Sequence, residues 1–506
     1  MGIRANRTRA LVLGLSTTLT VAGTILTAPT AMAVACDPEV VHSYGDLDGD
    51  NISDAVVGMV SWDQGAGAVD VRGSRSPQQQ LTSDQLGGSR DDSDQVGAAV
   101  AIGDLDGDGC ADLVVGAPGE GSEGPNGVSG YTGQVHIVLG SPQGIDPTTA
   151  FVIPTSAAPF DRFGAALALE KRGSVHDLYV GAPEATVNGV RHAGAVHRYT
   201  LTPGGPQRVS VELREVRTQD SPDVPGAAEA GDRFGSVLSA VGTGRGVLVG
   251  DPLEDVGDRT NAGALWFLRV DPSGVAGQSQ VVTQNTTGVA GRAETGDHFG
   301  AALGANGRTA GIGVPGENDG RLIDSGLVQF MVLRAGNDRL EAGRAVTQRS
   351  PGVPGKLEAG DRFGSQVVIG LALFCREEVD TAIGSPGEDV GRRTDAGTIT
   401  LIAGSAACPT RVVRQGAGMA GTAETGDEVG SVLTIMRGRS DLDENYADRL
   451  LVGVPKEDLG ALTDAGIVEP MTGDIVADGV LAPSLRSPER FVSGVEYGSV
   501  LATTSR

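Results

Sequence analysis

The chain has 506 residues, with 64 Asp and Glu against 39 Lys and Arg, for a formal charge of −25. So acidic a chain repels nucleic acid and anionic membranes and attracts cations, which excludes the nucleic-acid binders and the basic membrane-surface proteins. Apolar residues make up 39% of it, yet beyond residue 33 no apolar run is long enough to cross a bilayer.

At the N-terminus, Arg4, Arg7 and Arg9 precede an apolar stretch from Leu11 to Leu26, and Ala31-Met32-Ala33 follows as a cleavage site. This is the pattern of a secretory signal peptide over residues 1–33, leaving residues 34–506 as a single extracellular domain. Four Cys in an oxidising compartment predict two disulfides. Cys375 and Cys408 lie in one stretch of chain and are paired, which leaves Cys36 with Cys110. Met32-Ala33-Val34-Ala35-Cys36 also approximates a lipoprotein cleavage box, so a cell-surface lipoprotein anchored through Cys36 is the alternative.

Two segments then concentrate carboxylates. Asp46, Asp48, Asp50 and Asp54 occupy positions 1, 3, 5 and 9 of the first, and Asp104, Asp106, Asp108 and Asp112 those of the second. Four charges in one tight turn repel one another unless a hard cation neutralises them, and Ca²⁺, which takes 6–8 oxygen ligands, suits that donor set. The backbone carbonyls of Ile52 and Cys110, at position 7, complete the expected ligands. Position 12 is Val57 or Val115 rather than Glu, and strands follow at once, so these are hairpin loops and not EF-hands. A third, degenerate copy holds Asp441, Asp443 and Asn445, followed by Asp448 one place out of register.

The whole chain repeats. A Gly-Asp-x-Phe-Gly cluster places its last Gly at residues 97, 164, 235, 300, 364, 430 and 498, at spacings of 64–71 residues. An apolar run ending in Gly-x-Pro places its Gly at residues 58, 116, 181, 250, 313, 384 and 453. The first Gly-x-Pro half has no Phe-Gly half before it, and the last Phe-Gly half, Tyr497-Gly498, has no partner after it. Joined together, the two orphans close a ring. Each unit offers about four short runs bounded by Gly, Pro, Asp and Asn, as in 236–241, 246–250, 264–270 and 278–283. No helical period appears. The prediction is an all-β, seven-bladed β-propeller of four-stranded antiparallel blades, its C-terminal strand pairing into the N-terminal blade.

Phe163-Gly164, Phe234-Gly235, Phe299-Gly300 and Phe363-Gly364, with Gly116-Ala117-Pro118 and Gly181-Ala182-Pro183, resemble the FG-GAP repeats of integrin α-subunit propellers and their secreted bacterial relatives. The resemblance covers nearly all of residues 34–506 and implies the same propeller, with Ca²⁺ held between the half-motifs. Val96 and Val429 replace Phe in two units, and the first unit reads Gly58-Met59-Val60 without Pro. The strong loops here lie in the first two units, unlike those of integrins, so integrin ligand surfaces are not carried over.

Other motifs carry less. Gly311-Ile312-Gly313-Val314-Pro315-Gly316 matches a dinucleotide fingerprint but lacks any βαβ context. The six His are scattered without His-x-x-x-His metal spacing, and His192 and His197 read as surface or strand-end residues. Glu120, Glu254, Glu317, Glu388 and Glu457 recur in Pro-x-Glu and read as turn residues, because catalytic residues are usually unique. The expected function is a secreted calcium-binding module for an extracellular protein or glycan ligand, monomeric, with no nucleic-acid partner. The alternative is an extracellular hydrolase or lyase acting on polysaccharide or phosphodiester substrates, for which a unique His or Arg clustered with carboxylates at the ring centre would speak.

Overall fold

Short β-branched runs between Gly turns become short antiparallel strands, and the fourth unit shows how closely. Its strands are Val237–Ala240, Gly246–Asp251, Ala264–Arg269 and Gln280–Val282. A computed structural model describes residues 36, 45–50, 52–73, 76–121, 130–205, 207–334, 339–375, 378–405, 408–437, 448–471 and 495–504. The signal-peptide segment and the loop containing Asp441, Asp443 and Asn445 lie outside them. Ala35–Arg506 form one compact unit.

Seven small sheets make up the ring of a seven-bladed β-propeller. Five of them have four consecutive antiparallel strands, the first has three completed by a strand from the C-terminus, and the seventh shows three among the described residues. Short parallel additions extend the second and sixth. Helical turns among the described residues are confined to two short 3₁₀ pieces, Ser83–Gln85 and Pro147–Thr149. The ring closes as expected. Val500–Leu501 pairs antiparallel with Ala55–Gly58 of the first unit, Gly58 facing Val500. The chain then runs on to pair Thr503 with Ala101 of the second unit.

The two half-motifs meet across unit boundaries. A Cβ on Gly116 would lie 2.1 Å from the carbonyl oxygen of Gly164 in the next unit. Gly181 stands in the same way against Gly235, Gly250 against Gly300, Gly313 against Gly364, Gly384 against Gly430, Gly453 against Gly498 and Gly58 against Gly97. Seven such contacts circle the ring, and only a residue without a Cβ fits them. The second glycine of each pair also has a positive φ, between 86° and 95°.

The apolar clusters lie between neighbouring sheets. Phe163, Phe234, Phe299, Phe363 and Tyr497 are fully buried there. Val96 and Val429 are buried at the same positions, so the two departures from Phe keep the role with a smaller side chain.

Candidate functional site

In each four-stranded unit the connections between strands 1 and 2, and between 3 and 4, lie on one face of the ring. Those between strands 2 and 3, and between units, lie on the other. The carboxylate loops sit on the first face and the Pro-x-Glu turns on the second.

In the first loop, oxygens of Asp46, Asp48 and Asp50 lie within 4.8 Å of one another, and in the second those of Asp104, Asp106 and Asp108 do the same. Oxygens this close can share one metal ion, so each set offers three carboxylate ligands to a cation. The amides of the turn hold the carboxylates in place. Asp104 accepts from Gly107 at 2.8 Å and Gly109 at 3.2 Å, and Asp108 accepts from Cys110 at 2.9 Å. Asp46 accepts from the Asp50 amide at 3.1 Å, and Asp48 from Ser76 at 2.7 Å. Burial, then the charge of Asp108, raises Asp106 to about 6. Burial also raises Asp104.

The position-9 carboxylates behave differently from the other three. Asp54 accepts the Leu47 amide at 2.8 Å. Asp112 accepts the amides of Leu105 at 2.7 Å and Gly140 at 2.8 Å. Neither joins its cluster of three, and both tie the loop back onto its own sheet. Ile52 is exposed at the tip of its loop, its amide donating to Asp50. Cys110 is buried in a disulfide with Cys36, their Cα atoms 5.1 Å apart, which engages the thiol that the lipid alternative needs. Cys375 pairs with Cys408, as expected. From the neighbouring unit, Arg208 reaches Asp106 at 2.8 Å and Asp108 at 2.6 Å and partly neutralises the second loop.

The units without carboxylate loops use other partners at position 9. Arg172 grips Asp177 with two bonds of 2.7 and 2.9 Å. Asp380 instead accepts the amides of Phe374 and Cys375.

On the opposite face, the recurring Glu residues are not simple turn residues. Gln219, Gln284, Gln348 and Gln415 each donate to the Glu of the following unit, namely Glu254, Glu317, Glu388 and Glu457, at 2.5–2.6 Å. Each pair locks a unit to the one before it. The Asp of Gly-Asp-x-Phe-Gly lies alongside and accepts an amide three residues back, as Asp297 does from Glu294 at 2.6 Å. In the second unit, Ser83 and His136 replace Gln, bonding Glu120 at 2.8 and 2.7 Å. The carboxylate stands between serine and histidine, and all three are buried. That order cannot relay a proton from Ser83 through His136, so the set is a buried lock.

His136, His176 and His197 are all buried, and the surface or strand-end role expected of His197 is not met. They lie on inner strands whose two faces are both covered, and His197 packs edge-on against Phe163 at 5.1 Å. At the centre of the ring, first strands line a cavity of about 120 Å³, including Leu169, Ala240, Ala305, Ile369 and Thr434. Its wall carries Arg437, paired with buried Asp448 at 3.0 Å. This is one ion pair, and Asp448 is also held by the Leu371 amide at 2.8 Å. Among the described residues no helix is long and apolar enough to cross a membrane.

Residues 96–138, which include the second carboxylate loop, match the FG-GAP repeat family model. A stretch of 113 residues is 35% identical to human phosphatidylinositol-glycan-specific phospholipase D, covering 21% of this chain and 13% of that enzyme. Two solved structures are similar over longer spans. A protein from Lactobacillus plantarum is 11% identical with a TM-score of 0.39, over 88% of this chain and 98% of its own. A putative 6-phosphogluconolactonase from Bacteroides uniformis is 10% identical with a TM-score of 0.38, over 74% and 83%. The half-motifs recur in all seven units and the family match falls on the second, so the chain carries an FG-GAP repeat and folds as a seven-bladed β-propeller.

Proposed function

We propose that this is a secreted propeller that binds Ca²⁺ through its first two carboxylate loops and presents the opposite face to an extracellular protein or glycan. The observation that carries the reading is the division of labour between the faces. The clustered carboxylates sit on one face. On the other, five successive units project exposed tips, around residues 186–192, 257–261, 320–324, 391–395 and 460–464. These tips share a backbone turn while their side chains differ, Arg191 and His192 in one, Arg392, Arg393 and Asp395 in another and Asp464 in the last. Ca²⁺ in this reading stabilises the first two units by neutralising Asp46, Asp48 and Asp50 and their counterparts Asp104, Asp106 and Asp108, and takes no part in chemistry.

The alternative, a hydrolase or lyase acting on polysaccharide or phosphodiester, draws on the partial match to the phospholipase. Its candidate centre is Arg437 and Asp448 in the ring-centre wall. One experiment separates the two. The purified protein is passed over a panel of polysaccharides and matrix proteins, with Ca²⁺ and with chelator, and products are sought by mass spectrometry. Retention without products supports the binding module. Products that follow the protein through purification, and are lost in Arg437→Gln, overturn it.

A further inference from the structure

Aromatic side chains make up only 4% of this chain, and the fold buries nearly all that are described. Among the described residues two aromatics are exposed, Tyr131 at 51% and Phe160 at 53%. They are neighbours. The Phe160 amide donates to the Tyr131 carbonyl at 3.1 Å, and a Cβ on Gly130 would lie 3.3 Å from the Phe160 ring. Both stand on the face that carries the exposed tips, Tyr131 between strands 2 and 3 of the second unit and Phe160 in its connection to the third. Phe160 occupies the first position of Gly-Asp-x-Phe-Gly, where the fourth to seventh units have Gly231, Gly296, Gly360 and Gly426. Those glycines have φ between 86° and 99°, and a Cβ on any of them would meet nothing within 4 Å. Phe160 adopts the same left-handed conformation, at φ 74°. A bulky residue there is strained, and such strain collects at functional positions. Core packing does not account for it, because the ring is half in solvent.

Polar groups adjoin the two rings. Glu184 donates its amide to the carbonyl of Asp161, the residue after Phe160, at 3.2 Å. One oxygen of its carboxylate meets Arg233 at 3.1 Å and the other meets His192. The Arg233 and His192 side chains are half exposed, so this polar cluster faces solvent. An aromatic face beside forked hydrogen-bonding groups is what a pyranose ring requires. Its C–H face stacks on the negative face of an aromatic ring, while its hydroxyls donate to a carboxylate and accept from a guanidinium. We propose that Tyr131 and Phe160, with Glu184, His192 and Arg233, form a carbohydrate site for a neutral, hexose-containing glycan. This rests on the binding-module reading and puts its ligand at the junction of the second and third units. Charge selects the neutral glycan. Arg233 is already paired with Glu184, and the chain's formal charge of −25 repels anionic polysaccharides. Size selects a glycan over a protein. A stable protein interface buries about 800 Å² on each side, whereas the apolar surface here is that of two half-exposed rings, a match for one or two sugars.

The test is Phe160→Gly in the full chain, which restores the residue of four other units. This variant and Tyr131→Ser are compared with the parent for retention on immobilised cello-, malto-, manno- and galacto-oligosaccharides, on an acidic polysaccharide and on matrix proteins, with Tm measured for each. The parent is expected to be retained by a neutral glycan, and each variant to bind that glycan roughly tenfold more weakly. Phe160→Gly should melt no lower than the parent, because glycine relieves the strain at this φ, so its lost binding is not lost folding. Saturation-transfer NMR should show contact with the C–H protons of the bound sugar in the parent and not in Phe160→Gly. Equal retention of the parent and both variants on a neutral glycan overturns the site and leaves the binding-module reading standing. Retention of the parent only on protein or on the acidic polysaccharide does the same. No retention of the parent on any member of the panel overturns both.

Discussion

Replacing Gly313 by Ala tests the physical basis of the repeat. Its backbone φ is ordinary, so the substitution carries no conformational strain. Fewer conformers in the unfolded chain would by themselves stabilise the protein by roughly 0.4–1 kcal/mol. The new Cβ, however, would lie 2.0 Å from the carbonyl oxygen of Gly364 in the next unit, against a practical limit near 3.0 Å. The obstructing atom is backbone, so the relief is a shift of about 1 Å between two sheets, not a side-chain rotation. That shift loosens the packing of Phe299, Ile312 and Phe363, all fully buried. Overpacking that side chains can absorb costs about 1–3 kcal/mol. Here the cost should reach about 3–5 kcal/mol, in the range kept for disrupted cores. The assay is urea unfolding of the full chain, with Gly277→Ala as control. Gly277 also has an ordinary φ, and its nearest neighbour is 3.7 Å from the added Cβ, so the control should be neutral or slightly stabilised. If Gly313→Ala unfolds at the same urea concentration as the parent or above it, the half-motif glycines are not there to let units approach.

Asp48→Ala with Asp106→Ala should abolish the gain in thermal stability that Ca²⁺ confers, about 2.7 kcal/mol per loop at a hundredfold excess over Kd, as read by melting with Ca²⁺ and with chelator. Equal melting of the parent in both buffers would refute the loops as metal sites. Glu170 is buried against the amides of Gly242, Thr243 and Gly244 of the next unit, and burial raises it to about 7 against those amides. Its contribution is full below pH 4.5 and lost as the pH rises through 7. Urea melts of Glu170→Gln should therefore fall less than the parent's across that window, by on the order of 3 kcal/mol. Parallel pH profiles would refute this. Cys36→Ser with Cys110→Ser opens a loop of 74 residues. By chain entropy it should cost about 4 kcal/mol, measured by urea unfolding of the double variant against the parent.

The ring could be read from the sequence because its punctuation is steric. A glycine that faces another unit's carbonyl tolerates no substitute, so it recurs and can be counted. Phe can shrink to Val96 or Val429 inside the same buried place, which explains why that part of the motif drifts. The three clustered carboxylates of each loop were legible for a similar reason, since their spacing alone sets the turn. The Gln–Glu locks were not read. Thr-Gln does recur, at 218–219, 283–284 and 347–348, but its partners lie 33–40 residues ahead across a unit boundary. Only the register of two neighbouring sheets joins them. The buried histidines were missed because burial follows from a strand's place inside its sheet and from a distant partner, such as Glu120 for His136, rather than from residue identity.

The closure of the first sheet by Val500–Leu501 sets an order of events in time. Residues 55–58 emerge early in synthesis, while the strand that completes their sheet emerges about 440 residues later. At roughly 5–20 residues per second, that is a wait of about 20–90 s. Until then the first sheet has a bare inner edge, and the Gly58 contact with Gly97 lacks the strand that holds it in place. The middle units can pack on one another meanwhile, each with a neighbour on both sides. The first and last cannot, so the growing chain is an open arc whose two ends are its weakest points, and full stability arrives in a single late step.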